Sequence, residues 1–136
     1  MRISAKSEYA CLALIELARS EVPGTPRRVK EIAQAQEIPE RYLVQILLQL
    51  KSAGLVHSAR GSDGGYQLAR PADAIAVADV ISAIEGLGDP PRKGGSQESR
   101  RLAALFQEAR LAHYQILATS SIAQLAKPET SPDWVL

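Results

Sequence analysis

Few side chains in this 136-residue sequence are of the types that do covalent or redox chemistry, and they lie far apart. There is one cysteine, Cys11, and there are two histidines, His57 and His113. No spacing joins a nucleophile to a base, and no two carboxylates stand as an acid and base pair, so the chain does not read as an enzyme. A single thiol also excludes an internal disulfide framework and a cysteine-only zinc or iron-sulfur site within one chain. Cys11, beside Leu12 and Leu14, reads as a small buried apolar residue, and His113 as a helix-surface or interface residue.

Two other stretches carry binding chemistry. The segment "SARGSDGGYQLARP", Ser58 to Pro71, sets three glycines between short apolar-alternating runs. A phosphate-cradling loop would need Lys and then Ser or Thr directly after its glycines, opening a helix; here Tyr66 follows, and the glycine spacing of a dinucleotide site is also absent. The glycines therefore predict a hairpin tip. Arg60 beside that tip is a candidate for a narrow minor groove or a phosphate, or else a solvated arginine. The second stretch runs from Pro39 to Ser52. Glu40, Arg41, Val44 and Gln45 fall in its first turns on one face; Arg, Gln and Glu can pair with guanine, adenine and cytosine edges, or the face is simply solvated. Leu48 on the same face reads first as part of a wider core contact and second as a methyl-sensing contact.

These residues must be held by the surrounding elements. Met1 to Ser20, with Ile3, Tyr9, Ala10, Leu12, Ala13, Leu14, Leu17 and Ala18 at helical spacing, predicts a first helix that "EVPGTPRR" breaks. Val29 to Gln36 predicts a short second helix with Val29, Ile32 and Ala33 inward, and Glu37 and Ile38 a tight turn. Pro39 suits a first helical position, because its missing N–H has no partner there anyway. Tyr42, Leu43, Ile46, Leu47 and Leu50 then form the packed face of a third helix, ended by Gly54 in a left-handed cap. Leu55 to Ser58 and Tyr66 to Ala69 predict the two strands of the hairpin. Ala74 to Gly86 predicts a fourth helix with Val77, Val80, Ile81 and Ile84 inward. Residues 87–99 read as a Gly/Pro/Ser-rich linker. Arg100 to Leu117 reads as a long helix with Leu102, Leu105, Phe106, Ala109, Ala112 and Ile116 along one stripe. Ser120 to Ala126 suggests a last helical turn or two, and residues 127–136 a loose tail. The expected fold is mainly α with a small β-hairpin: a winged helix-turn-helix domain over 1–86, then a dimerisation region over 100–126.

The hydrophobic share of 46% is that of an ordinary globular protein. The net charge of +1 offers no strong attraction to a polyanion. Residues 1–70 hold ten bases against seven acids, and the remainder is slightly acidic, a weak bias toward a nucleic-acid-facing first half. No run reaches the length of a membrane span, and Glu8, Glu16 and Arg19 interrupt what a leader peptide would keep apolar, so a cytoplasmic location is expected.

The segments "MRISAKSEYACLALIELA", "EIAQAQEIPERYLVQILLQLKSAGLVHSARGSDGGYQLARP" and "IAVADVISAIEG" resemble the Rrf-two family of bacterial transcription regulators, over residues 1 to about 86. "AGLV", Arg-Gly, "GGY" and "LARP" in this order make the resemblance specific. It implies a homodimeric repressor or regulator that sets its third helix in the major groove and its wing against the minor groove of a near-palindromic operator in double-stranded DNA. By position it implies Pro39, Arg41, Tyr42, Val44 and Gln45 at the recognition helix, Arg60 and Gly61 at the wing, and Arg2, Ser4 and Lys6 facing the DNA backbone. It gives Arg100 to Leu117 a partner, the same helix of a second subunit. Cluster-binding members of the family hold iron and sulfide through three cysteines between the fourth helix and the dimer helix. Here that stretch is "GLGDPPRKGGSQESRRLAAL", without a thiol, so no cofactor is expected and the signal would be a small molecule, a partner protein, or none. Ser62 and Asp63 stand at the wing tip where relatives often have Pro and Gly, and an acid there repels phosphate. The rival expectation is a winged-helix interaction module that acts through a partner enzyme or regulator.

Overall fold

The computed structural model describes residues 3–20, 25–59, 64–86 and 93–128. Helix α1 (Ala5–Ala18) starts at Ser4, whose hydroxyl accepts the Ser7 amide at 3.2 Å and so satisfies one of the donors a helix start leaves open. It buries Ser7, Ala10, Ala13, Leu14 and Leu17. Ile3, expected in the apolar stripe, precedes the helix and is exposed.

Helix α2 (Val29–Gln36) buries Ile32 and Ala33, and its Glu31 carboxylate accepts the Arg28 amide at 3.0 Å. The expected turn follows: Glu37 adopts a left-handed conformation (φ 54°, ψ 44°), and Ile38 drops into the core. Helix α3 (Glu40–Ser52) has Pro39 as its N-cap, one place before the first helical position that the sequence suggests. Leu43, Ile46, Leu47 and Leu50 are buried, whereas Tyr42, expected in that packed face, is largely exposed. Tyr42 lies about 90° around the helix from the centre of the buried face, at an open cleft beside α1 that leaves its ring half exposed. Gly54, at φ 76°, ends α3 as expected, with the Leu55 amide donating to the Leu50 carbonyl at 3.0 Å.

Strands β1 (Val56–Ala59) and β2 (Gly65–Leu68) pair antiparallel, Val56 opposite Leu68 and Ala59 opposite Gly65. A third segment joins them. Arg27 and Tyr66 exchange both main-chain hydrogen bonds, at 2.9 and 2.8 Å. The Arg27 guanidinium then bonds Glu16 of α1 at 3.1 Å, and Glu16 also accepts from Gln36 at 2.9 Å, so one carboxylate ties α1, α2 and the root of the wing.

Helix α4 (Val77–Glu85) starts later than expected because a 3-10 turn ends at Ala74 and Ile75 and Ala76 stay extended, with Ala76 bridged to Ser121; Val77 and Val80 are buried, and Ile81 and Ile84 partly so. Helix α5 (Gln97–Ala118) begins three residues before the expected Arg100, capped by the Ser96 hydroxyl. Helix α6 (Ile122–Ala126) folds back onto α1. Its start is stitched to the start of α4: the Val77 amide donates to the Ser120 carbonyl at 2.8 Å, and the Ile122 amide to the Ile75 carbonyl at 2.9 Å. Ile122 is fully buried in the same core as Leu14 and Val80, a burial that contributes about 2 kcal/mol. The chain that leaves the winged-helix core after α4 thus returns to it after α5.

Candidate nucleic-acid interface

The outward side of α3 follows from its buried side. At 100° per residue, Arg41, Val44, Gln45, Leu48 and Ser52 share an arc of about 100° that lies opposite Leu43, Ile46, Leu47 and Leu50. All five are exposed. Leu48, whose first reading is a core contact, is 52% exposed and sits at the centre of this arc. The core is already filled by the four residues opposite, which leaves no second packing side for α3 in one subunit. The Arg41 guanidinium rests over the Tyr42 ring, 5.1 Å from its centroid, which holds it at the helix start.

Lys6, Tyr42 and Gln45 are brought together. With Ala5, Tyr9 and Ile46 they line an open cleft of about 450 Å³ between α1 and α3. Ser4 turns inward instead. Its amide donates to the Glu85 carboxylate at 3.2 Å, its hydroxyl also donates there, and Ser7 adds a hydroxyl donor at 2.7 Å. Glu85, at the C-terminal end of α4, is badly placed for the dipole of its own helix and well placed for that of α1, so it clamps α4 to the start of α1. Lys51, at the end of α3, donates to the Ser58 hydroxyl on β1 at 2.9 Å and links recognition helix to wing. Neither Glu85 nor Lys51 is marked in the sequence, because their partners become neighbours only through the fold. Arg2, Arg60 and Gly61, with Ser62 and Asp63, lie outside the described residues.

Helix α5, about 33 Å long, has no buried residue. Leu102, Leu105, Phe106 and Ile116 are each more than half exposed, and Ala109 and Ala112 are exposed too. Leu111 and Tyr114 add exposed apolar surface on the far side of the helix, outside the expected stripe.

The remaining chemical groups are dispersed. His57 meets Gln67 across the hairpin at 3.4 Å, on exposed surface. Cys11 packs beside the core, and burial, with a smaller contribution from the Glu8 charge, pushes its thiol up from 9.0 to about 11. The neutral thiol is favoured by folding, so the stability it contributes is complete below pH 9 and is lost as pH rises toward about 11. Urea midpoints of the protein and of Cys11→Ala, measured from pH 8 to 11, should converge as pH rises. At pH 8 a disulfide reagent should modify the native thiol far more slowly than the urea-unfolded one.

The family profile that matches residues 3–128 is Rrf2, described as iron-dependent transcriptional regulator. A Mycobacterium tuberculosis chain named as an HTH-type transcriptional regulator is 38% identical over 93% of this chain and 81% of its own length. The transcriptional regulator IscR of Cereibacter sphaeroides is 32% identical over 97% of this chain and 91% of its own. The solved structure of CymR, the global cysteine regulator of Bacillus subtilis, superposes with a TM-score of 0.78 at 35% identity, covering 93% of this chain and 96% of that one. The iron in the family description does not fit the donors present. The whole sequence offers one thiol, held protonated on α1, and among the described residues no three His, Cys, Asp or Glu side chains converge. Among the described residues no helix is long and apolar enough to cross a membrane. A helix-turn-helix with an outward polar-apolar face, a two-stranded wing and a family profile spanning nearly the whole fold agree: this chain belongs to the Rrf2 family and is a winged helix-turn-helix, DNA-binding transcriptional regulator.

Proposed function

We propose that the protein is a homodimeric, sequence-specific repressor that works without an iron-sulfur cluster. The observation that carries the dimer is α5: 22 residues, none buried, with an apolar stripe that an isolated subunit would leave in water. A second copy of α5 is the complementary surface for that stripe, and a two-fold axis then presents two α3 helices to one side of a duplex. Each α3 enters a major groove with Pro39 and Tyr42 at its start and Arg41, Val44 and Gln45 on base edges. Arg60 and Gly61 at the wing approach the minor groove, and Arg2 and Lys6 meet phosphates near α1. Ser4, held by Glu85, fixes the start of α1 for them. Half-sites one or two helical turns apart in a near-palindrome follow from the symmetry. Since the residues between α4 and α5 carry no thiol, the signal is a small molecule or a partner protein.

Selection of bound sites from random duplex DNA tests this reading. Enrichment of a near-palindrome by a dimer supports it, and binding without sequence preference refutes it. On the selected operator, Arg60→Ala should weaken binding and flatten the dependence of log K on log salt by about 0.9 for each phosphate left without its arginine. An unchanged slope would remove Arg60 from the interface.

A further inference from the structure

One side of α3's outward face is apolar. Val44 and Leu48 are 42% and 52% exposed, lie one helical turn apart, and point the same way, alongside Arg41 and Gln45. An isolated exposed leucine is ordinary, but two branched aliphatic side chains on a recognition face leave two gaps in its hydrogen-bonding capacity. In a major groove the one apolar group on any base edge is the thymine 5-methyl. A polar edge facing Val44 or Leu48 would lose its water without gaining a partner, which selects against it. We infer that Val44 and Leu48 read thymine methyl groups, so that each operator half-site carries thymines at two positions along one face of the groove.

Ser52, one turn beyond Leu48 on the same arc, continues that face toward the Lys51–Ser58 link to the wing. The apolar pair is therefore continuous with the DNA-binding surface rather than a separate patch. Leu48 also borders Ala83 of α4, across a shallow cleft. That cleft is too open to bury the side chain within the subunit, as its exposure records. This inference rests on the DNA-reading role of α3 and adds the chemistry by which it discriminates.

The test replaces thymines of the selected operator, one at a time, by deoxyuridine, which removes the 5-methyl group and leaves the pairing and groove hydrogen bonds intact. Affinity of the full-length protein should fall about 4-fold per methyl read, the worth of one buried methyl group, and about 15-fold when both half-sites are changed. Leu48→Ala should abolish the loss at one thymine and Val44→Ala the loss at another, each variant melting at the parent temperature because both side chains are exposed. Sequence-specific binding that no thymine-to-deoxyuridine change weakens, or a Leu48→Ala protein that keeps every such loss, overturns the inference while leaving the DNA-binding reading in place. Failure to select any operator overturns both.

Discussion

Phe106→Glu is expected to turn the dimer into monomers and to abolish tight operator binding. Phe106 lies mid-stripe on α5, one turn after Leu102 and beside Leu105 and Ala109, and is 54% exposed in the single subunit. A two-fold interface between α5 helices brings the substitution in twice. An unpaired carboxylate buried against apolar side chains costs about 3–5 kcal/mol, so two copies weaken the dimer by about four orders of magnitude or more. The subunit itself should fold as before, since Phe106 packs on nothing in the winged-helix core. Analytical ultracentrifugation at micromolar concentration reads the mass, and circular dichroism checks the helix content. Operator affinity should fall with dimerisation, because one winged helix has only one half-site to hold. A Phe106→Glu protein that sediments as a dimer would show that α5 packs on its second copy through other residues, the exposed Leu111 and Tyr114 being the next to examine.

Gly65→Ala should unfold the wing and lower the stability of the whole domain. A β-carbon at residue 65 would fall on the Arg27 carbonyl oxygen, 2.6 Å from the carbonyl carbon and 3.1 Å from the Arg28 nitrogen. All three are backbone atoms, so no side-chain rotation relieves the clash. The oxygen is also the acceptor of the Tyr66 amide, so displacement of Arg27 breaks the bridge that roots the hairpin and disturbs the Arg27–Glu16 ion pair beneath it. A destabilisation of about 3 kcal/mol is expected, or about 10 °C in melting temperature for a chain of this size. A Gly65→Ala protein that melts at the parent temperature would show that Arg27 can move away from the wing without loss.

The order of elements is legible in the sequence because each short apolar pattern has one period. Leu43, Ile46, Leu47 and Leu50 can share a side only in a helix, and the glycines before Tyr66 can close only a hairpin. Element ends are less legible. Helix α5 starts, behind a serine cap, three residues before the expected Arg100, and extended backbone at Ile75 and Ala76 replaces the expected first turn of α4. In the interface, spacing puts Arg41, Val44, Gln45 and Leu48 on one side of α3, and the family resemblance adds Tyr42. That Leu48 and Tyr42 are left uncovered was not legible, because an apolar residue at helical spacing looks the same whether or not a neighbour packs on it.

By itself, the sequence determined the winged-helix order, the glycine-built hairpin, the unpartnered stripe of α5 and the lack of thiols for a cluster, since each depends on residue type or on spacing within one segment. Only the tertiary structure decided that Leu48 faces outward, that Ile122 returns to the core, that Arg27 forbids a side chain at residue 65, and that Glu85 clamps the start of α1. Each of those depends on which surfaces meet, and residues as far apart as Ser4 and Glu85 become partners only once the core that both elements share has closed.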